Sequence, residues 1–148
     1  MSRFSWCGWE VEVSKEDTSA WYGQAGEWDC PCGHCRNFLA LARGRELPDE
    51  LLEILDMLSI PPEKATYVCE LYHGEAGVFY QVGFRVAGRI ISRPERPQPA
   101  RWGFQGCGEE RCAPFEAPGF PEPAFEVELC LALPWVLNEP VEGPQKEP

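Results

Sequence analysis

The sequence predicts an α+β domain: an antiparallel sheet of about four to five strands, two helices on one face and a long Pro/Gly-rich loop. Three observations carry this reading. Helical apolar stripes occur near residues 35–43 and 49–58. Two stretches, 78–91 and 125–133, alternate apolar and polar residues with the period of strands. Residues 92–123 hold seven Pro and four Gly, which disfavours regular structure there. The 148 residues fit a single domain, 1–148. A chain of this length buries roughly 68–70% of its unfolded surface, enough to fold without disulfide or metal staples.

Taken in order, residues 9–13 set Trp9, Val11 and Val13 against Glu10 and Glu12, a strand with an acidic outer face. Residues 14–29 are polar, contain Gly23 and Gly26, and read as a loop. The first helix begins near Cys35, with Phe38, Leu39, Leu41 and Ala42 as its stripe. Gly44 is its C′ stop, and Arg43 suits the negative end of the dipole. The second helix has Pro48 at its first position and Asp49, Glu50 and Glu53 near its positive end. Its buried face is Leu51, Leu52, Leu55 and Leu58, and Pro61-Pro62 ends it. A strand over 67–72 leads through a turn at 73–77 into the long strand 78–91, where Gly83 and Gly88 mark bulges or bends. A short strand is expected near 101–105, within the irregular segment 92–123. After the strand 125–133, Pro134 stops the run, and the tail 138–148 is expected to fray.

Composition excludes several classes. With 44% hydrophobic and 25% charged residues the chain is neither disordered nor fibrous. No apolar run approaches the roughly 20 residues of a membrane helix. The start, Met1 to Trp6, lacks the pattern of a signal peptide, so the expected location is cytoplasmic and reducing. A net charge of −11 argues against nucleic acid and anionic membranes as partners. The charge is uneven: six Arg and three Glu fall within 85–111, so the rest carries −14. Arg85 and Arg89 share a strand face, where cross-strand pairing with Glu126 and Glu128 is the simpler role and gripping an anion the alternative.

The eight cysteines are the main chemical lead. Cys30, Cys32 and Cys35 form a C-x-C-x-x-C cluster whose thiolates suit a soft tetrahedral ion such as zinc. Cys35 at a helix N-terminus has the dipole to stabilise its thiolate. A fourth ligand is expected from Cys107 or Cys112, with Cys7, His34 and Asp29 as alternatives. Either of the first two would pin the long loop. Buried, inert cysteines are the plain alternative. Cys69 and Cys130 fall in strands. His34 and His73 are the two histidines, and His73 is expected solvated in a turn. No phosphate loop, dinucleotide fingerprint, H-E-x-x-H or supported nucleophile triad occurs. The tryptophans Trp6, Trp9, Trp21, Trp28 and Trp102 are core packing by default, and an exposed patch of them would mark a binding surface.

Two resemblances add expectations. Cys32-Gly33-His34-Cys35 resembles the C-G-H-C motif of protein disulfide isomerases. That likeness implies an attacking Cys32, a resolving Cys35 and an apolar strand directly before the motif. It covers about six residues, and Pro31 stands where that family has an aromatic residue. The stretches 29–38 (D-C-x-C-x-x-C-R-N-F), 47–64 and 131–137 (L-x-L-P-W-V-L) are together similar to a family of small uncharacterised bacterial proteins. In that pattern the middle of the cysteine motif varies, and no activity transfers from it. The leading expectation is therefore a non-enzymatic cytoplasmic protein with a structural zinc site, acting through an unknown protein partner. The alternatives are a thiol–disulfide oxidoreductase using Cys32 and Cys35, and an acidic immunity- or inhibitor-type protein covering a basic partner.

Overall fold

A computed structural model describes residues 1–96, 103–108 and 117–141. Its described residues form an α+β fold with an antiparallel sheet of six strands and three α-helices. The chain opens with a hairpin, β1 (Ser2–Trp6) and β2 (Trp9–Val13). Cys7 and Gly8 turn it with φ of 49° and 84°, the left-handed pair that matches the twist of two-residue hairpins. The expected strand at 9–13 is present. β1 adds a partner that its exposed Ser2, Arg3 and Ser5 conceal.

The expected loop over 14–29 is corrected: α1 (Lys15–Gln24) occupies most of it. Ser14 caps this helix, its Oγ accepting from the Asp17 N–H at 3.2 Å, and Glu16 and Asp17 suit the positive end. The two expected helices are α2 (Gly33–Arg43) and α3 (Asp49–Met57). Pro48 is the N-cap of α3 rather than its first helical residue. Both helices end in the same paired carbonyl motif. After α2, the Glu46 N–H reaches Leu41 O and the Arg45 N–H reaches Ala42 O. After α3, Ile60 reaches Leu55 and Ser59 reaches Asp56. The left-handed residue after α2 is thus Arg45 (φ 53°), and Gly44 stays right-handed. A 3-10 turn (Pro62–Lys64) follows α3.

The remaining strands are β3 (Tyr67–Gly74), β4 (Gly77–Ser92), β5 (Phe104–Gly108) and β6 (Ala124–Leu133). The sheet order is β1-β2-β4-β6-β5, with β3 also on β4. His73 lies half-buried in β3 opposite Val78, not in the turn, which is Glu75-Ala76. The short strand of the irregular segment runs over 104–108, and Arg101 lies outside the described residues. Of the two marked glycines, Gly88 (φ +150°) passes so close to Glu12 that a Cβ would meet its carbonyl oxygen at 2.0 Å, while Gly83 pairs regularly.

β3 takes one end of a single β4 edge and β2 takes the other, so β4 residues 84–87 have β6 on one side and no strand on this edge. Side chains complete that edge. Arg85 N–H donates to Thr66 Oγ1 (3.0 Å) and Ala87 N–H to Thr18 Oγ1 (3.1 Å). Arg85 O accepts from Tyr22 Oη–H (2.7 Å), and Ala87 O accepts from the Ser14 N–H (2.8 Å). Buried backbone groups must be paired, so α1 stands in for a missing strand. This explains why Thr18 is fully buried on a helix that shows little amphipathicity.

The core lies between one sheet face and the helices. Tyr80, Phe84, Phe125 and Leu129 face Phe38 and Leu41 of α2 and Leu51 and Leu55 of α3. Arg85 and Glu126 sit opposite each other on β4 and β6, both buried, with Nη1 to Oε1 at 3.6 Å. The pairing expected for Arg85 is therefore present, though buried. Arg89 reaches Glu12 on β2 instead of the last strand, at 3.6 Å.

Candidate metal centre

The chain approaches the cysteines in extended form, the Trp28 N–H bonding Glu63 O in the 3-10 turn. It then turns into α2 with Cys32 as the N-cap. Cys32 Sγ accepts from the Cys35 N–H at 3.4 Å, and Cys32 O accepts from the Arg36 N–H at 3.0 Å. Arg36 Nε returns to Pro31 O at 2.9 Å and fixes the turn from outside. The Sγ atoms of Cys30, Cys32 and Cys35 consequently lie within 4.8 Å of one another. Cys32 is exposed, Cys30 half-buried and Cys35 buried. All seven described cysteines are free thiols.

The electrostatics differ along the turn. The Cys32 backbone N–H donates toward Cys30 and holds its thiol below the usual range, with hydrogen bonds from the Cys32 and Cys35 thiols adding to this and burial opposing it. Burial pushes the Cys35 thiol well up, while the Trp28 indole N–H works the other way. That buried indole N–H has no hydrogen bond of normal geometry. Cys35 thus keeps its proton and shares it with its neighbours. A soft divalent ion replaces such protons on binding, which couples affinity to pH and to folding.

The turn is braced from behind by the R-N-F residues. Asn37, fully buried, clamps the segment after β6: its Nδ2 donates to Pro134 O (3.0 Å) and to Tyr80 Oη (3.2 Å), and its Oδ1 accepts from the Val136 N–H (2.7 Å). Tyr80 Oη–H donates in turn to His34 O at 2.6 Å. Arg36 pairs with Glu139 (2.6 Å), and Trp135 sets its ring edge-on to His34 while its Nε1–H bonds Glu139 O. The His34 ring lies 3.9 Å from Glu70 Oε1. Two of the stretches singled out in the sequence, 29–38 and 131–137, therefore meet at this turn, and 47–64 touches the chain just before it, where the Trp28 N–H reaches Glu63 O.

Of the expected ligands, Cys30, Cys32 and Cys35 come together. Cys107 does not join them: it is buried on β5, where the Trp6 indole N–H, Glu128, Arg93 and Cys7 act on its thiol. Cys7 sits in the first hairpin turn, and neither Asp29 nor His34 completes the group. Cys112 lies outside the described residues. Cys69 and Cys130, read from the sequence as core or face residues, are half-buried on the sheet face on either side of Gln81. Asn37 and Trp28 were not legible as site residues. Nothing in the sequence distinguishes a clamping Asn from a solvated one.

The chain matches no family model, no curated protein and no solved structure. Function must therefore be argued from the site itself. The strand that the disulfide-isomerase likeness implies is not there: α1 and an extended segment precede the motif. No helix among the described residues is long and apolar enough to cross a membrane.

Proposed function

We propose that Cys30, Cys32 and Cys35 hold a structural zinc ion, and that the protein is a non-enzymatic cytoplasmic module that acts by binding another protein. The gathered sulfurs carry this reading. Zn–S bonds of about 2.3 Å place tetrahedral sulfurs about 3.8 Å apart, a short contraction of a group already within 4.8 Å. Thiolates select soft ions, and the N-terminus of α2 supplies N–H groups that stabilise them. The ion would tie the extended segment 25–32 to α2 and so to the Asn37 clamp. Cys112 is the fourth thiol this reading calls on.

The test is metal analysis with thiol counting on anaerobically purified protein. About one zinc per chain is expected, lost in Cys32→Ser together with stability and weakened in Cys112→Ser. A wild type that is free of metal and normally stable would overturn it. One observation favours a second reading, a thiol–disulfide oxidoreductase: Cys32 is exposed at the helix N-cap with Cys35 buried behind it. That reading requires the purified protein to reduce or exchange a model disulfide, and inactivity in that assay removes it.

A further inference from the structure

A cleft of about 700 Å³ opens beside the cysteine turn, between the end of α1 and the 3-10 turn. Its size falls within the range of about 300–1,000 Å³ found for ligand sites. Trp21, Trp28, Ala25, Ala65 and Pro118 give it an apolar lining, and Cys30 stands at its margin. Neither indole N–H is left for a ligand. Trp21 Nε1–H donates to Pro118 O at 3.0 Å, and Trp28 Nε1–H is buried. Ring carbon is what they offer to the cleft. Trp21 is also held rigidly, with Tyr22 and Phe120 each 4.9 Å from its ring centre. A preformed slot between tryptophans is the kind of pocket that receives a partner's anchor residue.

The rim holds two carboxylates, Glu27 and Asp29, and one ammonium, Lys64. Asp29 is exposed and makes no ion pair among the described residues. Glu27 is bound by Arg43 and the Lys64 ammonium is engaged on Tyr22 O at 2.6 Å. The chain as a whole carries −11. We infer that this cleft is the docking site for the partner protein, and that it takes an aromatic side chain flanked by Arg or Lys. The inference names the partner chemistry for the binding role proposed above. It rests on that role and not on the metal. Aromatic rings pack edge-on or offset against indole faces, and a flanking cation meets the exposed Asp29 carboxylate.

Gly26 provides the means to test it. It lines the cleft, and a Cβ built there meets no atom within 4 Å, so the backbone accepts a side chain at this point and Gly26→Phe is the variant chosen to block the site. Gly23 on α1 is equally open but does not line the cleft, so Gly23→Phe is the control. The probes are acetyl-Arg-Phe-Arg-amide, acetyl-Arg-Ala-Arg-amide and acetyl-Glu-Phe-Glu-amide, added to the full chain. The indole N–H resonances of Trp21 and Trp28 are the readout, and that of Trp135 reports an intact fold. Arg-Phe-Arg should shift the first two, with at least tenfold weaker binding of the other peptides. Gly26→Phe should abolish the response, Gly23→Phe should retain it, and Asp29→Asn should weaken binding about threefold. No response to any peptide, equal responses to all three, or a response surviving Gly26→Phe overturns the inference. Zinc content is measured on the same samples. Binding without zinc removes the metal site alone, and zinc without binding removes the docking site alone.

Discussion

Two buried cysteines each lie beside a buried tryptophan N–H: Cys35 beside Trp28 and Cys107 beside Trp6. Burial dominates both thiols and raises both. The difference lies in the rest of the neighbourhood. Cys35 starts a helix and has two more sulfurs in reach, fixed by a turn of six residues. Cys107 sits mid-strand on β5, with Glu128 raising its thiol further and Arg93 lowering it. A buried thiol is by itself a small apolar side chain. The same thiol can serve as a ligand where local geometry delivers partners to it.

The largest effect that tests this contrast is on metal and stability together. Cys35→Ser should abolish zinc binding and cost about 4 kcal/mol or more, because the metal's binding energy is folding energy. Cys107→Ser should leave the metal in place and cost about 1–3 kcal/mol for burying a hydroxyl. Zinc analysis with urea unfolding reads both, and equal losses in the two variants would erase the distinction.

The next effect concerns what stands behind the turn. Asn37→Ala strips the Val136 N–H and Pro134 O of their partner and should cost about 2–3 kcal/mol. It should also release Trp135 from His34, visible as a shift of the Trp135 indole resonance. Asn37→Asp keeps the acceptor for Val136 but loses the donor, so it should not restore stability. An Asn37→Ala variant as stable as wild type would mean that the cysteine turn stands without its brace.

How much of this was legible follows from the range over which each feature is encoded. The cysteine turn was readable because its three cysteines and the helix that orders them are contiguous. The sheet strands 78–91 and 125–133 were readable from alternation, and α3 from its leucines. α1 was not, because its buried face is Thr18, Trp21 and Tyr22, chosen to complete a broken strand edge as much as to be apolar. Ser14 followed by Glu16 and Asp17 was the available signal for it. The place of Cys107 on β5 was not legible for a related reason. Which of two distant loops meets a turn depends on tertiary pairing, here β5 on β6, and spacing along the chain carries no trace of it.

The smallest effect concerns Cys107 alone and has a definite pH signature. At neutral pH, Cys107→Ala should cost only about 1 kcal/mol, the loss of one sulfur from the core. Burial, aided by Glu128, pushes this thiol up to about 12 from an ordinary value of 9.0. The folded state therefore holds its proton where the unfolded state releases it. Between pH 9 and 12 the unfolded chain binds fewer protons at this site, so stability falls with rising pH, by up to about 1.4 kcal/mol per unit. Below pH 9 both states are protonated and the site contributes no slope. Alanine has no such proton, so the stability difference between wild type and Cys107→Ala should shrink above pH 9 and vanish near pH 10. Referring wild type to this variant cancels the titration of tyrosines and lysines common to both. A difference that stays flat from pH 8 to 11 would place Cys107 in contact with solvent or with a charge that stabilises its thiolate, and would make it a second reactive centre instead of a core residue.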